Sequence, residues 1–288
     1  MRGNSCLPDF FLPLQFQPTV YLKKNMEQIS ALLTRLKTHS PLVQSITNYV
    51  VMNNTANALL AAGASPIMAH AQPEVKDMVN IVGALVVNIG TLDEYWSESM
   101  LQAAAHAHAI QKPWVLDPVG AGATPYRNEL LSKLLQFQPS VIRGNASEIM
   151  SLASVNIKSK GVDSTNSSDE ALEAGTQLSK QTGAVVVISG EVDYIIDRER
   201  IAKVKNGNPL MSKVTGMGCT ASALTGAMIA IENDRFLAST AAMALMGVAG
   251  DIAAEKADGP GTLQLHFYDA LYNLKSEEFE ERMIVSYP

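Results

Sequence analysis

Ala84-Leu85-Val86-Val87-Asn88-Ile89, followed by Trp114-Val115-Leu116-Asp117, are the two stretches whose reading decides the fold. Both are short and continuously apolar rather than alternating, the pattern of strands covered on both faces. Similar runs occupy residues 41–46, 65–69, 140–143 and 184–189. Helical patterns separate them at 53–62 (stopped by Gly63), 73–80, 94–111, 126–137, 146–153 and 169–182. This alternation predicts an α/β protein with a mainly parallel central sheet and helices on both sides. After Ser189 the pattern changes. Residues 193–197, 200–204 and 210–214, with Asn206-Gly207 as a turn, read as hairpin strands that add an antiparallel edge. Helices then follow at 222–232, 235–257 and, beyond the turn Gly259-Pro260-Gly261-Thr262, at 267–274. Asn166-Ser167-Ser168-Asp169 reads as a helix cap, and 158–165 as a polar loop.

The 288 residues are 47% hydrophobic and 17% charged, a globular composition, and no linker or repeat divides them. One large domain over 26–288 is expected. Residues 1–25 read as a dispensable extension: Phe10-Phe11-Leu12 faintly suggests a signal peptide, but Pro8, Asp9 and Pro13 interrupt it. Met26 opens an amphipathic helix through Ile29, Leu32, Leu33 and Leu36. A net charge of −6 argues against nucleic acid, and no apolar run reaches the roughly 18 residues of a membrane span. Two cysteines, Cys6 and Cys219, are too few for a disulfide framework and fit a reducing cytoplasm.

The chemistry-bearing stretches sit where parallel strands should end, which is where such sheets bind ligands. Thr215-Gly216-Met217-Gly218-Cys219-Thr220-Ala221-Ser222 opens a helix with glycines, leaving backbone N–H groups that converge at its positive end. That arrangement suits a phosphoryl group in transfer, with Cys219 beside an incoming hydroxyl. The same residues also suit a tight turn with Cys219 as a small buried hydrophobe. Asp117 precedes the Gly-rich turn from Pro118 to Thr124 and could hold Mg²⁺, or could serve an Asp-Pro turn. Arg143-Gly144-Asn145-Ala146-Ser147-Glu148 gathers a guanidinium for phosphate and a carboxylate for Mg²⁺ or its waters; Glu148 could equally favour a helix dipole. Ser189-Gly190-Glu191-Val192-Asp193-Tyr194 could touch a nucleotide or simply enter a hairpin. No Gly-x-x-x-x-Gly-Lys-Ser/Thr loop, kinase catalytic loop or Gly-x-Gly-x-x-Gly turn is present, and the five histidines are scattered.

Ile46-Thr47-Asn48-Tyr49-Val50-Val51-Met52-Asn53, Ala62-Gly63-Ala64-Ser65-Pro66-Ile67-Met68, the stretches at 117–124, 143–148, 161–165 and 189–194, and Thr215 to Cys219 together resemble the hydroxyethylthiazole kinases of the ribokinase-like superfamily. The resemblance runs from about Met26 to Leu274. It implies a three-layer α/β/α fold and phosphorylation by ATP of the alcohol of 4-methyl-5-(2-hydroxyethyl)thiazole, a salvage step toward thiamine. By position it assigns Met68, Gly216 and Asn48 to the thiazole, Arg143, Ser189 and Asn145 to ATP, and Asp117 and Glu148 to Mg²⁺ and the phosphates. Cys219, Gly216 and Gly218 form the catalytic turn; most ribokinase-like enzymes carry Asp where Cys219 stands, whereas thiazole kinases carry Cys. The family often has Thr at the place of Ser189, and both supply a hydroxyl. A homotrimer with active sites between subunits is also implied.

Three rival readings have distinct signatures. A pyrimidine alcohol kinase or nucleotide-dependent hydrate dehydratase would carry Asp at position 219. A silent binder of thiamine precursors would lose Arg143, Glu148 or the glycine turn, and all are present. A cysteine hydrolase would react with acylating probes and ignore Mg-ATP. The helix N-terminus would be expected to lower the Cys219 pKa below the free value of about 8.5.

Overall fold

The computed structural model describes residues 18–156 and 168–288. Cys6, the expected loop at 158–165, the 161–165 motif, the first two residues of the expected cap at 166–169 and most of the extension lie outside the described residues. In chain order the elements are α1 (Pro18–His39), β1 (Leu42–Ile46), α2 (Met52–Ala62), β2 (Ser65–Ile67), α3 (Val75–Ile81), β3 (Ala84–Asn88), α4 (Glu94–Ala109), β4 (Trp114–Asp117), α5 (Pro125–Leu135), β5 (Val141–Asn145) and α6 (Ala146–Asn156). There follow α7 (Ser168–Thr182), β6 (Val185–Ser189), β7 (Asp193–Asp197), β8 (Arg200–Val204), α8 (Met217–Ile231), α9 (Arg235–Ala254), α10 (Pro260–Asn273), α11 (Ser276–Arg282) and β9 (Val285–Ser286).

One nine-stranded sheet runs in the order β2-β1-β3-β4-β5-β6-β7-β8-β9. Pairings from β2 through β6 are parallel, and the last three strands are antiparallel. Alternate side chains explain the unbroken apolar runs. Val86 of β3 joins a cluster with Leu33, Leu59, Leu224, Leu245 and Phe267 on one face. Its neighbours Leu85 and Val87 join Val79, Met100, Leu131, Ile149 and Leu178 on the other. The central strands are therefore buried on both faces, by α1, α2, α8, α9 and α10 on one side and by α3 to α7 on the other, while the edge strands β2, β8 and β9 are partly open. The result is the three-layer α/β/α sandwich expected. Helix α9 has the length and composition of a membrane span, yet 89% of its apolar window is packed inside this core.

Several expected elements change. Helix α1 starts at Pro18, so the expected domain start at Met26 falls inside a helix, although Ile29, Leu32, Leu33 and Leu36 form the buried face as read. Residues 210–214 are not a strand. Pro209 opens a 3-10 helix at Pro209–Lys213, and the Asn208 side chain accepts from Leu210 N at 2.9 Å. Proline at that point cannot donate to a strand ladder and favours a helical first position. Asn206 makes no hairpin turn either, because its side chain ties three segments together, donating to Asp251 and Arg282 O and accepting from Ile284 N. The hairpin instead turns at Arg198, in the left-handed region at φ 55°, and the outer edge of β8 pairs with β9. Helix α8 begins at Met217 rather than 222, and α10 at Pro260 rather than 267. In both, poor helix formers near the start hid a turn that tertiary packing supports. Helix α11 and strand β9 carried too short a pattern to read.

Helix α8 lies unusually close to the sheet. A Cβ on Gly226 would stand 2.4 Å from Val86 Cγ2. Gly226→Ala is therefore expected to destabilise the protein: overpacking costs about 1–3 kcal/mol, against roughly 1 kcal/mol of helix propensity gained. Urea unfolding should show a lower midpoint; an unchanged or raised midpoint would show that the layer can move apart freely.

Candidate active site

The carboxyl ends of neighbouring strands bring together a buried polar chain. Asn88 at the end of β3 stands in register with Asp117 at the end of β4, and Asn48 lies just past the end of β1. Asp117 Oδ2 accepts from Asn88 Nδ2 at 2.6 Å and from Ser222 Oγ of α8 at 2.8 Å. Burial pushes the Asp117 carboxyl up to about 6; the Glu148 carboxylate pushes the same way, while Arg143 and the two hydrogen bonds oppose it. Asn48 Nδ2 donates to Asn88 Oδ1 at 2.9 Å and reaches Cys219 Sγ at 3.5 Å.

The expectation of a lowered Cys219 pKa is reversed. Burial first, and the Asp117 carboxylate second, push the thiol up to about 11, more than the surrounding amides and Arg143 pull it down. Desolvation dominates because the sulfur is held against the neutral amides of the strand ends rather than exposed at the helix tip. Cys219 is a neutral thiol at pH 7.

Glu148 serves the helix start and the glycine turn at once. Its Oε2 accepts from Asn145 N at 2.9 Å while Asn145 Oδ1 accepts from Glu148 N at 2.9 Å, a reciprocal cap on α6. Its Oε1 accepts from Gly120 N at 3.0 Å, in the left-handed turn that follows β4. Arg127 of α5 pins the same region, donating to the carbonyls of Ile89, Gly90 and Val119. Asp117 and Glu148 thus flank one Gly-rich turn.

Arg143 lies within β5, two residues before its end, and is buried. Its Nη2 donates to Ser189 Oγ at 2.7 Å, while Nε is buried with no partner among the described residues. The guanidinium lies over the first turn of α8, since a Cβ on Gly218 would stand 2.8 Å from Nη1. Gly216, at φ 85°, is the N-cap and supplies no side-chain bond, so the leading N–H groups of α8 stay free of side-chain caps. A guanidinium and an open helix N-terminus face one point, an arrangement whose charge and free donors suit an anion. Beside it opens a cavity of about 590 Å³ lined by Arg143, Ser189, Gly190, Asp193, Met211, Met217, Gly218, Met243, Met246 and the 206–209 loop.

Most sequence-predicted residues converge. Asn48, Asp117 and Cys219 form the buried chain, Glu148 and Asn145 frame the adjoining turn, and Arg143, Ser189, Gly216 and Gly218 form the anion site. Met68 follows the end of β2, the strand beside β1, and is half-buried; its carbonyl meets His70 Nδ1 at 3.2 Å. Among the described residues no group of three or more potential metal ligands is found. Sequence reasoning missed Asn88, Ser222, Arg127 and Asp193 as site members. Asn88 carried a legible signal, a polar residue breaking an apolar strand; Arg127 sits on a helix that gives no hint of the loops it pins.

Parallel strands between two helical layers, with an anion site at their carboxyl ends, define a ribokinase-like α/β protein. A ribokinase-like superfamily protein from Enterococcus faecalis shares this fold with a TM-score of 0.60 at 13% identity, over 88% of this chain and 95% of that one. Nearer likenesses are narrower in kind. The family model of the hydroxyethylthiazole kinase family matches residues 33–277. The hydroxyethylthiazole kinase of Leptospira biflexa serovar Patoc is 54% identical over 263 residues, 91% of this chain and 97% of the relative. The solved hydroxyethylthiazole kinase protein from Pyrococcus horikoshii has a TM-score of 0.85 and 39% identity, covering 91% of this chain and 99% of that one. The chain belongs to the hydroxyethylthiazole kinase family.

Asp193 gives the site a pH signature. Its Oδ1 accepts from Gly190 N at 3.0 Å, yet burial raises the carboxyl from 3.8 to about 6. Between those values the folded protein holds a proton that the unfolded chain has released, so this group makes stability fall as pH rises through about 4 to 6, then leaves it flat. Asp193→Asn should flatten that part of the stability profile in denaturant unfolding at stepped pH. A slope unchanged by the substitution would show that Asp193 titrates normally.

Proposed function

We propose that this protein transfers the terminal phosphoryl group of ATP to the hydroxyl of 4-methyl-5-(2-hydroxyethyl)thiazole, in thiamine salvage. The observation that carries the reading is the N-terminus of α8. It stands between a cavity of nucleotide size, about 590 Å³, and the Asn48–Cys219 contact. Family membership gives the reaction, and the geometry gives each residue a task.

ATP occupies the cavity with its phosphates toward Arg143, Ser189 and the amide of Asn145, whose Oδ1 is already used in capping α6. The methionines take the flat, apolar base. The transferring phosphoryl passes over the free N–H groups at Gly216 to Cys219, where the helix dipole and Arg143 offset the charge it carries. The acceptor alcohol lies by Asn48 and the Gly216 backbone. Cys219, protonated at neutral pH, positions the hydroxyl and forms no covalent bond. The donor set suits Mg²⁺: among the described residues Asp117 Oδ1 accepts no hydrogen bond, and the nearby Glu148 carboxylate disfavours the Asp117 anion unless a cation offsets both. Asp117 and Glu148 would hold the ion, which supplies screening of the triphosphate charge.

A coupled ADP-release assay with and without the thiazole alcohol tests the reading. ADP should appear only with the alcohol and a divalent cation; turnover in excess chelator, or none with the alcohol, would overturn it. Arg143→Ala should raise the KM for ATP by about 10- to 100-fold, the loss of one charged hydrogen-bonding group. Glu148→Gln should lower kcat more than alcohol affinity. Cys219→Ala should leave reduced but measurable activity, and a phosphorylated or acylated Cys219 trapped by mass spectrometry would revive covalent catalysis.

The assembly we favour is a homotrimer with the site completed between subunits, and the catalytic unit is 26–288. Met68 at the β2 edge, and Tyr49 and Val50 at 61% and 60% exposure beside the site, support a neighbouring chain there. Sedimentation of a chain starting at Met26 should give active trimer; a monomer with full activity would exclude the shared site, and insoluble protein would show that the start of α1 belongs to the fold.

A further inference from the structure

Asn88 is a buried polar residue on β3 that the phosphoryl-transfer scheme leaves without a task. It is 1% exposed, and its side chain is bonded to Asn48, Gly90 and Asp117. Its Oδ1 accepts from Asn48 Nδ2 at 2.9 Å and from Gly90 N at 3.0 Å, and its Nδ2 donates to Asp117 Oδ2 at 2.6 Å. Backbone N–H groups can only donate, so Gly90 N fixes which end of the Asn88 amide is oxygen. Val50 N does the same for Asn48, donating to Oδ1 at 3.1 Å. Both amides are thereby oriented by partners whose polarity is certain, and Asn48 must turn its N–H toward Cys219. Gly90 makes room for the pair, since a Cβ there would stand 2.5 Å from Asn48 Nδ2.

We propose that Asn88 is a positioning residue for the acceptor alcohol: oriented by Gly90 N and anchored on Asp117, it relays that anchorage to the Asn48 amide, so that an N–H donor and not a carbonyl is held at the Cys219 end of the pocket. A hydroxyl about to attack phosphorus has two lone pairs, and a donor that binds one of them fixes the direction of the other. A carbonyl could only accept the O–H and would leave both lone pairs without a partner. Helix α8 completes the frame, because Ser222 shares the Asp117 oxygen that Asn88 uses. Without Asn88 the Asn48 amide loses the acceptor that holds its N–H in place. The Arg143 side of the site, where the nucleotide is held, makes no hydrogen bond to this amide pair.

The inference rests on the thiazole-alcohol reading, and the test separates the two. The full-length protein and its Asn88→Leu, Asn48→Leu and doubly substituted forms are compared in the ADP-release assay, varying alcohol and ATP separately. Asn88→Leu should raise the KM for the alcohol at least tenfold and leave that for ATP within twofold. In the Asn48→Leu background the same change should add little, because the two act through one bond. Equal loss toward both substrates, or effects that multiply independently, would overturn the relay. Asn88→Ala, which also removes the acceptor for Asn48 but places no larger apolar group or new charge beside Asp117, serves where the leucine form does not fold. It too should weaken the alcohol selectively, and an unselective loss would count against the relay. A parent protein that releases no ADP with the alcohol would instead overturn the proposed function.

Discussion

The close approach of α8 to the sheet is the constraint from which the site follows. Gly226 lets the helix settle against Val86, Gly218 lets its first turn meet the Arg143 guanidinium, and Gly216 lets the chain enter at φ 85°. A side chain at any of the three would lift the helix or turn it. Held this close, α8 presents its N-terminus level with the carboxyl ends of β1, β3, β4 and β5, and Ser222 can reach Asp117 across the layer boundary. The anion site is therefore a consequence of layer packing rather than of a dedicated phosphate loop.

The same closeness sets the electrostatics. Asp117 and Cys219 are enclosed by amides, helix and strand, so burial outweighs the surrounding donors and raises both groups. Asp117 rises to about 6, where it still ionises at neutral pH, and Cys219 to about 11, where it does not. Arg143 enters the same volume with its Nε unpartnered among the described residues, a buried cation with unspent hydrogen-bonding capacity. A buried donor left in that state is costly in a resting protein and useful to an anionic ligand. Arg143 and Glu148 act on Asp117 in opposite senses beside the glycine turn that Glu148 and Arg127 hold.

Legibility from sequence followed local redundancy. Strands β1, β3, β4 and β6 were readable because burial on both faces demands an unbroken apolar run, and α2 was readable because Gly63 ends it in the left-handed region. The failures have a common cause. Residues 210–214 looked like strand by composition, but Pro209 and the Asn208 cap turned them into a 3-10 helix, and the edge they were expected to fill went to β9. The early starts of α8 and α10 depend on contacts with distant elements, which outweigh a poor local propensity. At the site, Cys219, Arg143 and Asp117 were marked by their motifs, whereas Asn88 and Arg127 act through partners tens of residues away.

By itself the sequence determined the alternation of strands and helices, the glycine-opened turn before Cys219 and the family to which the chain belongs, because periodicity, turn chemistry and long motifs are local properties. Only the tertiary structure decided which way the Asn48 and Asn88 amides point and that burial raises the Cys219 thiol. Those are set by desolvation and by hydrogen bonds between strand ends that meet only after the sheet has formed, and no local pattern encodes them.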